Sequence, residues 1–268
     1  LSYNCETTQI DSETITVNAL PEAPSVTTTV EYCKDAAASA LGTDGGETDL
    51  KWYDDNTTSP ALDGAPTPST GTVGNPAESY WVSSTSNGCE GPRAEIEVVI
   101  NALPSQPSVT TPVEYCKGAT ATALVTDGGE LGLLWYTVAT GGTGSATAPV
   151  PGTGTVGSPA ETYYVSQTVT GCEGQRSEIK VVINALPSAP GVTTPLEICE
   201  GTTGLSPLAA TGTGLQWYDD ATTTTNLGGV PTPSTGASDS PRSYFVSQTV
   251  ASCEGQRSEI KVVINALP

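Results

Sequence analysis

The chain has no histidine, no methionine, one phenylalanine and only nine basic residues among 268. Without histidine, Ser-His-acid catalytic arrangements and His-based zinc sites are excluded. Nine Lys and Arg against 29 acidic residues give a net charge of −20. Nucleic acid is then a poor partner, because phosphate contacts need clustered cations, and an anionic membrane surface is disfavoured for the same reason. No apolar run approaches the roughly 20 residues that span a bilayer, so membrane insertion is not expected. The missing methionine implies a mature fragment or a segment of something longer, from which any signal peptide is already gone. The acidic balance reads as solubility and mutual repulsion along an extended surface protein.

What is present is repetition. Asn-Ala-Leu-Pro occurs at Asn18–Pro21, Asn101–Pro104, Asn184–Pro187 and Asn265–Pro268, at intervals of 83, 83 and 81 residues. So steady a period marks a tandem array of one small folding unit. Residues 1–21 read as the C-terminal part of a preceding, truncated unit. Three complete units follow: 22–104 (repeat 1), 105–187 (repeat 2) and 188–268 (repeat 3). Units of this size bury a modest core and often need a covalent staple.

Seven cysteines fall on the repeat. Cys33 with Cys89, Cys116 with Cys172, and Cys199 with Cys253 recur at separations of 56, 56 and 54 residues. The expected pairing is one disulfide within each unit, closing a loop that stabilises it by roughly 4 kcal/mol on the chain-entropy model. Cys5 is the second cysteine of the truncated unit and stays unpaired within this chain. Cys-x-x-Cys is absent, and two thiolates make a poor zinc site. Structural disulfides point to an oxidising compartment.

Within repeat 2, Val109–Tyr115, Ala119–Thr126 and Leu133–Thr137 read as strands. A Gly, Thr and Pro-rich stretch from Gly141 to Pro159 should hold two short irregular ones. Glu161–Thr168 and Ser177–Asn184 complete the set, joined by a turn carrying Cys172, Glu173 and Gly174. Period-2 patterning recurs in every unit: Leu50 and Trp52, Leu133 and Trp135, Leu215 and Trp217 each share a face. So do Tyr80 and Val82, Tyr163 and Val165, and Tyr244 and Val246. Ile96, Val98 and Ile100 recur as Ile179, Val181 and Ile183, and as Ile260, Val262 and Ile264. Apolar residues nowhere follow helical spacing. The expectation is an all-β sandwich of about seven strands per unit.

A Trp on the third strand and a disulfide are shared with immunoglobulin domains, but the cysteines lie elsewhere and the tyrosine-corner spacing is missing. The run Tyr-aromatic-Val-Ser, then Cys-Glu-Gly, then Arg-x-Glu-Ile-x-Val-Val-Ile-Asn-Ala-Leu-Pro resembles the Ig-like repeats of Bacteroidota surface proteins. Such repeats occur in tandem in large secreted adhesins, including those of gliding cells, and beside secreted polysaccharide-degrading enzymes. The resemblance covers nearly the whole chain. It implies a tandem array of Ig-like β-sandwich domains, and export to the cell surface or beyond through the type IX route.

Units join through Leu-Pro-x-x-Pro: Pro21 and Pro24, Pro104 and Pro107, Pro187 and Pro190. Proline fixes φ and favours an extended path, so the sequence predicts a semi-rigid rod on the order of 100 Å. The expected function is a structural stalk or adhesin segment of a large extracellular protein. The alternatives are a carbohydrate-binding repeat array, and a filament subunit assembled by strand addition. Neighbouring repeats are the expected partners, with polysaccharide or other surface proteins as further ones.

Few residues are candidates for chemistry. Asp54, Asp55, Asp219 and Asp220 end a strand and could give oxygen ligands to Ca²⁺. They read as solvated turns, as do Asp44–Glu47 and Asp127–Glu130, because no Ca²⁺-loop pattern surrounds them. No cofactor is expected. Trp81, Tyr164 and Phe245 take equivalent places opposite the Tyr80 face; they read as sheet cover, with sugar stacking as the alternative. Asn56-Thr57-Thr58 fits a glycosylation sequon weakly. No carboxylate pair suggests glycoside cleavage, and a repeated unit is an odd place for an active site. An enzyme is not expected.

Overall fold

A computed structural model of the chain describes residues 17–57, 60–236 and 240–268. Cys5 and Thr58, named above, lie outside the described residues. Every regular element among these is a β-strand. Repeat 1 contains β1 (Thr29–Cys33), β2 (Leu50–Tyr53), β3 (Gly74–Ser86), β4 (Cys89–Glu90) and β5 (Ala94–Asn101). Repeat 2 contains β6 (Val113–Cys116), β7 (Leu133–Tyr136), β8 (Gly157–Val169), β9 (Cys172–Glu173) and β10 (Ser177–Asn184). Repeat 3 contains β11 (Gly191–Val192), β12 (Leu196–Cys199), β13 (Ala210–Thr211), β14 (Leu215–Tyr218), β15 (Arg242–Val250), β16 (Cys253–Glu254) and β17 (Ser258–Asn265).

The main sheet has the same order each time: β1-β5-β3-β2, β6-β10-β8-β7 and β12-β17-β15-β14, with β4, β9 and β16 folded back on the long strand. The first strand runs parallel to the last, and the remaining pairs are antiparallel. Period-2 alternation sets the buried face. Ile96, Val98 and Ile100 are essentially inaccessible, as are Val82 and Trp52, and the same positions fill the cores of repeats 2 and 3. Leu50, Leu133 and Leu215 pack against these cores, as the Leu-x-Trp spacing predicts.

The second layer is less regular than expected. Ala119–Thr126 forms no strand, and the Gly141–Pro159 stretch contributes an isolated bridge between Trp135 and Ser145 before β8 begins. Single backbone bonds replace ladders: Leu124 N–H donates to the Pro149 carbonyl, and Asp127 N–H to that of Ser108. The reason is chemical. Pro149 and Pro151 lack the N–H that a continuous ladder requires. Leu41, Leu124 and Leu208 still close the core from this side. In repeat 3 a short ladder does form, between β11 and β13.

By its contacts the chain divides into two compact units. One runs through Pro104 and takes in Val169–Glu173, the tip of the β8–β9 hairpin; the other comprises Ser105–Thr168 and Gly174–Pro268. The hairpin tip of repeat 2 therefore belongs with repeat 1.

Candidate functional site: the cystine-linked repeat junction

The cysteines do not pair within repeats. Cys33 is bonded to Cys172, and Cys116 to Cys253, each with a Cα–Cα distance of 5.5 Å. This corrects the expected Cys33–Cys89, Cys116–Cys172 and Cys199–Cys253 pairs. Strand direction explains the correction. Because β1 is parallel to β5, Cys33 lies opposite Asn101, where the chain leaves the repeat. Cys89 lies beyond Ala94, at the other end of β5. Those ends are separated by seven strand steps, about 23 Å at ~3.3 Å per residue. A cystine tolerates a Cα–Cα separation of only about 4–7 Å. The first-strand cysteine is bonded instead to the hairpin thiol of the following repeat.

That hairpin is built the same way three times. Its two turn residues adopt left-handed backbone: Asn87 and Gly88, Thr170 and Gly171, Ala251 and Ser252. This geometry suits a two-residue turn between twisted strands. The cysteine follows the turn directly, paired with the long strand in repeats 1 and 3 as Ser86↔Cys89 and Val250↔Cys253.

The next residue anchors the hairpin to the Trp-Tyr strand. Glu90 accepts hydrogen bonds from the Tyr53 hydroxyl (2.6 Å), the Ser83 hydroxyl (2.7 Å) and Lys51 (3.3 Å). Glu254 accepts from Tyr218 (2.9 Å) and Ser247 (2.6 Å). The Tyr53 bond, then that of Ser83, holds the Glu90 carboxyl below its ordinary range. At Glu254 the Ser247 bond leads, and burial opposes it.

Gly91 and Gly255 come next, and a Cβ on either would lie 2.4 or 2.2 Å from the carbonyl oxygen of Pro21 or Pro187. Only glycine lets the Leu-Pro linker lie so close. The arginine two residues on stacks on the tyrosine ring: Arg93 over Tyr53 at 3.2 Å, Arg176 over Tyr136 at 3.2 Å, Arg257 over Tyr218 at 3.4 Å. It also donates to carbonyls of the loop after that tyrosine: Asp55, Val138 and Gly141, and Asp220 and Thr223. The Glu and Arg roles were not anticipated. The signal was there, since Cys-Glu-Gly-x-Arg recurs in every repeat, its cysteine 37, 37 and 36 residues after the Trp.

The linkers are docked as well. Pro24, Pro107 and Pro190 are buried. Ser84 Oγ donates to the Glu22 carbonyl at 3.0 Å, Ser177 Oγ to that of Pro107, and Ser258 Oγ to that of Pro190. Each linker is thereby fastened to the repeat that follows it. On a chain-entropy basis, a cystine closing a 137-residue separation stabilises the folded state by about 5 kcal/mol.

The remaining candidates take other places. Asp55 Oδ1 accepts the Thr57 amide at 2.7 Å and lies 3.7 Å from Arg93. Asp220 Oδ1 accepts the amide and hydroxyl of Thr222 (2.6 and 2.7 Å). Asp54 and Asp219 are exposed. Asp44 and Asp127 accept from the Thr27 and Thr110 hydroxyls, while Glu47 and Glu130 accept the Ser25 and Ser108 amides. Among the described residues, no three His, Cys, Asp or Glu side chains gather as a metal site. Trp81, Tyr164 and Phe245 are half-buried, in register with Tyr53, Tyr136 and Tyr218.

Repeat 3 also differs in its first strand. Tyr32 and Tyr115 precede the first-strand cysteine in repeats 1 and 2, and their hydroxyls reach the Ser39 and Thr122 carbonyls at 3.5 Å. Repeat 3 has Ile198 instead, beside a groove of about 500 Å³ bordered by Leu196, Cys199, Leu205, Leu208 and Pro233.

Residues 21–101, 104–184 and 187–266 each match the profile of the Ig-like domain described as CHU_C associated. No curated protein sequence matches the chain. Among solved structures, a three-Ig fragment of titin is 11% identical, with a TM-score of 0.37, over 90% of this chain and 96% of the fragment. Sidekick-1 immunoglobulin domains 1–4 are 13% identical, with a TM-score of 0.26, over 90% of this chain and 76% of theirs. A tandem of Ig-like domains is consistent with a structural or adhesive role. With all three repeats matched end to end, the chain belongs to the family of CHU_C-associated Ig-like domains.

Proposed function

We propose that the chain is a load-bearing spacer, a stalk or adhesin segment of an extracellular bacterial surface protein. The observation that carries this reading is the staggered cystine: the first strand of one repeat is bonded to the hairpin of the next. A within-repeat bridge would protect one module at a time. A bridge between repeats makes the junction itself covalent, where a tandem array under tension would otherwise yield. The glutamate, glycine and arginine after the cysteine support the same role, because they tie the hairpin to its own sheet and linker. A force arriving through the cystine is then passed into a folded core. Disulfides of this kind fit an oxidising, extracellular setting.

The test is domain replacement in the full-length surface protein. The three repeats are exchanged either for an unrelated Ig-like array of equal domain number or for a flexible Gly-Ser segment of equal length. A spacer is restored by the first and not by the second. If neither restores surface function, and glycan binding is lost when Trp81, Tyr164 and Phe245 all become Ala, the repeats act as a carbohydrate-binding array.

A further inference from the structure

Two cysteines among the described residues are free: Cys89, half-buried, and Cys199, exposed. They are not equivalent to each other. Cys89 takes the hairpin position held by Cys172 and Cys253; Cys199 takes the first-strand position held by Cys33 and Cys116. Each is one half of the bond made twice elsewhere.

Both halves stand on the scaffold that their bonded counterparts use. Cys199 ends a first strand parallel to the last, opposite Asn265, as Cys33 lies opposite Asn101 and Cys116 opposite Asn184. The following amide donates to that asparagine carbonyl in all three repeats: Lys34 to Asn101 (2.9 Å), Lys117 to Asn184 (2.9 Å), Glu200 to Asn265 (2.8 Å). Cys89 follows the same left-handed two-residue turn as Cys172 and Cys253, and Glu90 fixes its hairpin as Glu254 fixes the other. The backbone at both free thiols is therefore already in the bonded arrangement. Little further ordering is needed when a partner of the right kind arrives.

We infer that Cys199 and Cys89 are complementary half-cystines: Cys199 accepts the Cys-Glu-Gly hairpin thiol of a further Ig-like repeat, and Cys89 accepts a further repeat's first-strand thiol. The site is polar in the sense of direction. A first-strand thiol bonds a hairpin thiol and not its own kind, so the array grows head to tail. The chemistry needs a two-electron oxidant, here a low-molecular-weight disulfide. The Cys199 thiolate displaces one glutathione thiolate from glutathione disulfide, giving a mixed disulfide. The Cys89 thiolate of a second copy attacks that sulfur of Cys199 and releases the second glutathione. Two protein thiols become one cystine, and one glutathione disulfide becomes two thiols. This inference stands on the pairing geometry and does not need the load-bearing role.

The experiment uses the whole chain carrying Cys5→Ser, with Cys89→Ser or Cys199→Ser added, in a glutathione redox buffer. Alone, each variant stays monomeric. Mixed, they form a heterodimer whose bridge maps to Cys199–Cys89, in at least about tenfold excess over either homodimer, a preference worth roughly 1.4 kcal/mol. Homodimers as abundant as the heterodimer overturn the inference, and so does the absence of any heterodimer. In protein taken from its own cells, Cys199 is bonded to a Cys-Glu-Gly turn. A bridge inside one polypeptide identifies a further repeat of a longer chain, and a bridge between polypeptides identifies a second copy. A free Cys199 in oxidised, exported material overturns the inference.

Discussion

Cys172→Ser separates the staggered pairing from the within-repeat one by length alone. Consider the chain held at residues 18 and 268 and pulled until every repeat unfolds, with free thiols blocked. The shortest covalent route runs from Asn18 to Cys33, across to Cys172, back to Cys116, across to Cys253 and on to Pro268. That is about 86 residues, or ~300 Å at ~3.5 Å per extended residue. Within-repeat bridges would give nearly the same length, so the intact chain does not discriminate. The variant does. With Cys33–Cys172 lost, the Cys116–Cys253 bond still shortcuts the chain, and the route grows by only about 27 residues, or ~95 Å. Had Cys172 been bonded to Cys116, its loss would release all of the intervening loop, about 56 residues or ~195 Å. Single-molecule force spectroscopy resolves that difference. An added contour length near 195 Å, or a thiol appearing at Cys116 and not at Cys33, would refute the pairing. The small expected increment has a mechanical meaning: the two cystines overlap between residues 116 and 172, so each limits extension when the other fails.

Three further outcomes follow from the junction and the repeat 3 core. Ile198→Tyr should fill the groove beside Leu205 as Tyr32 and Tyr115 do in their repeats, raising the stability of repeat 3 by about 1 kcal/mol; calorimetry checks this, and an unchanged or lowered Tm counts against it. Replacing Ala251-Ser252 by Asn-Gly, the pair at Asn87-Gly88, should relieve left-handed strain of about 1–2 kcal/mol and also raise Tm. Glu90 and Glu254 are held below their ordinary pKa in the folded protein, so their contribution is present above the unfolded value near 4.5 and disappears as pH falls through the folded one. Tm should therefore drop on acidification below about pH 4.5, and Glu254→Gln should lower Tm at neutral pH while flattening the acid limb; parallel limbs in variant and parent would exclude this role.

Much of the fold was legible because period-2 burial writes itself into strands. Ser177–Asn184 was read with the bounds it has, and Leu-x-Trp, Tyr-x-Val and Ile-x-Val-x-Ile all point where alternation places them. Ala119–Thr126 was misread because propensity and alternation say nothing about the donor supply of the opposite segment, where Pro149 and Pro151 stop a ladder. The Glu and Arg of Cys-Glu-Gly-x-Arg were visible as repetition, but their partners lie some 34–38 residues away in the chain, a separation that no local pattern encodes.

The module, its period, its buried face and the presence of cystines are written in the order of residues alone. Alternation is a local property, and a tandem period repeats it until chance is excluded. Which cysteine meets which depends on how the strands run once folded. Equal spacing suggests pairing within a unit, but direction rules it out: a first strand parallel to the last carries its cysteine to the far end of the sheet, a strand length from the hairpin of its own repeat and within bonding distance of the hairpin of the next.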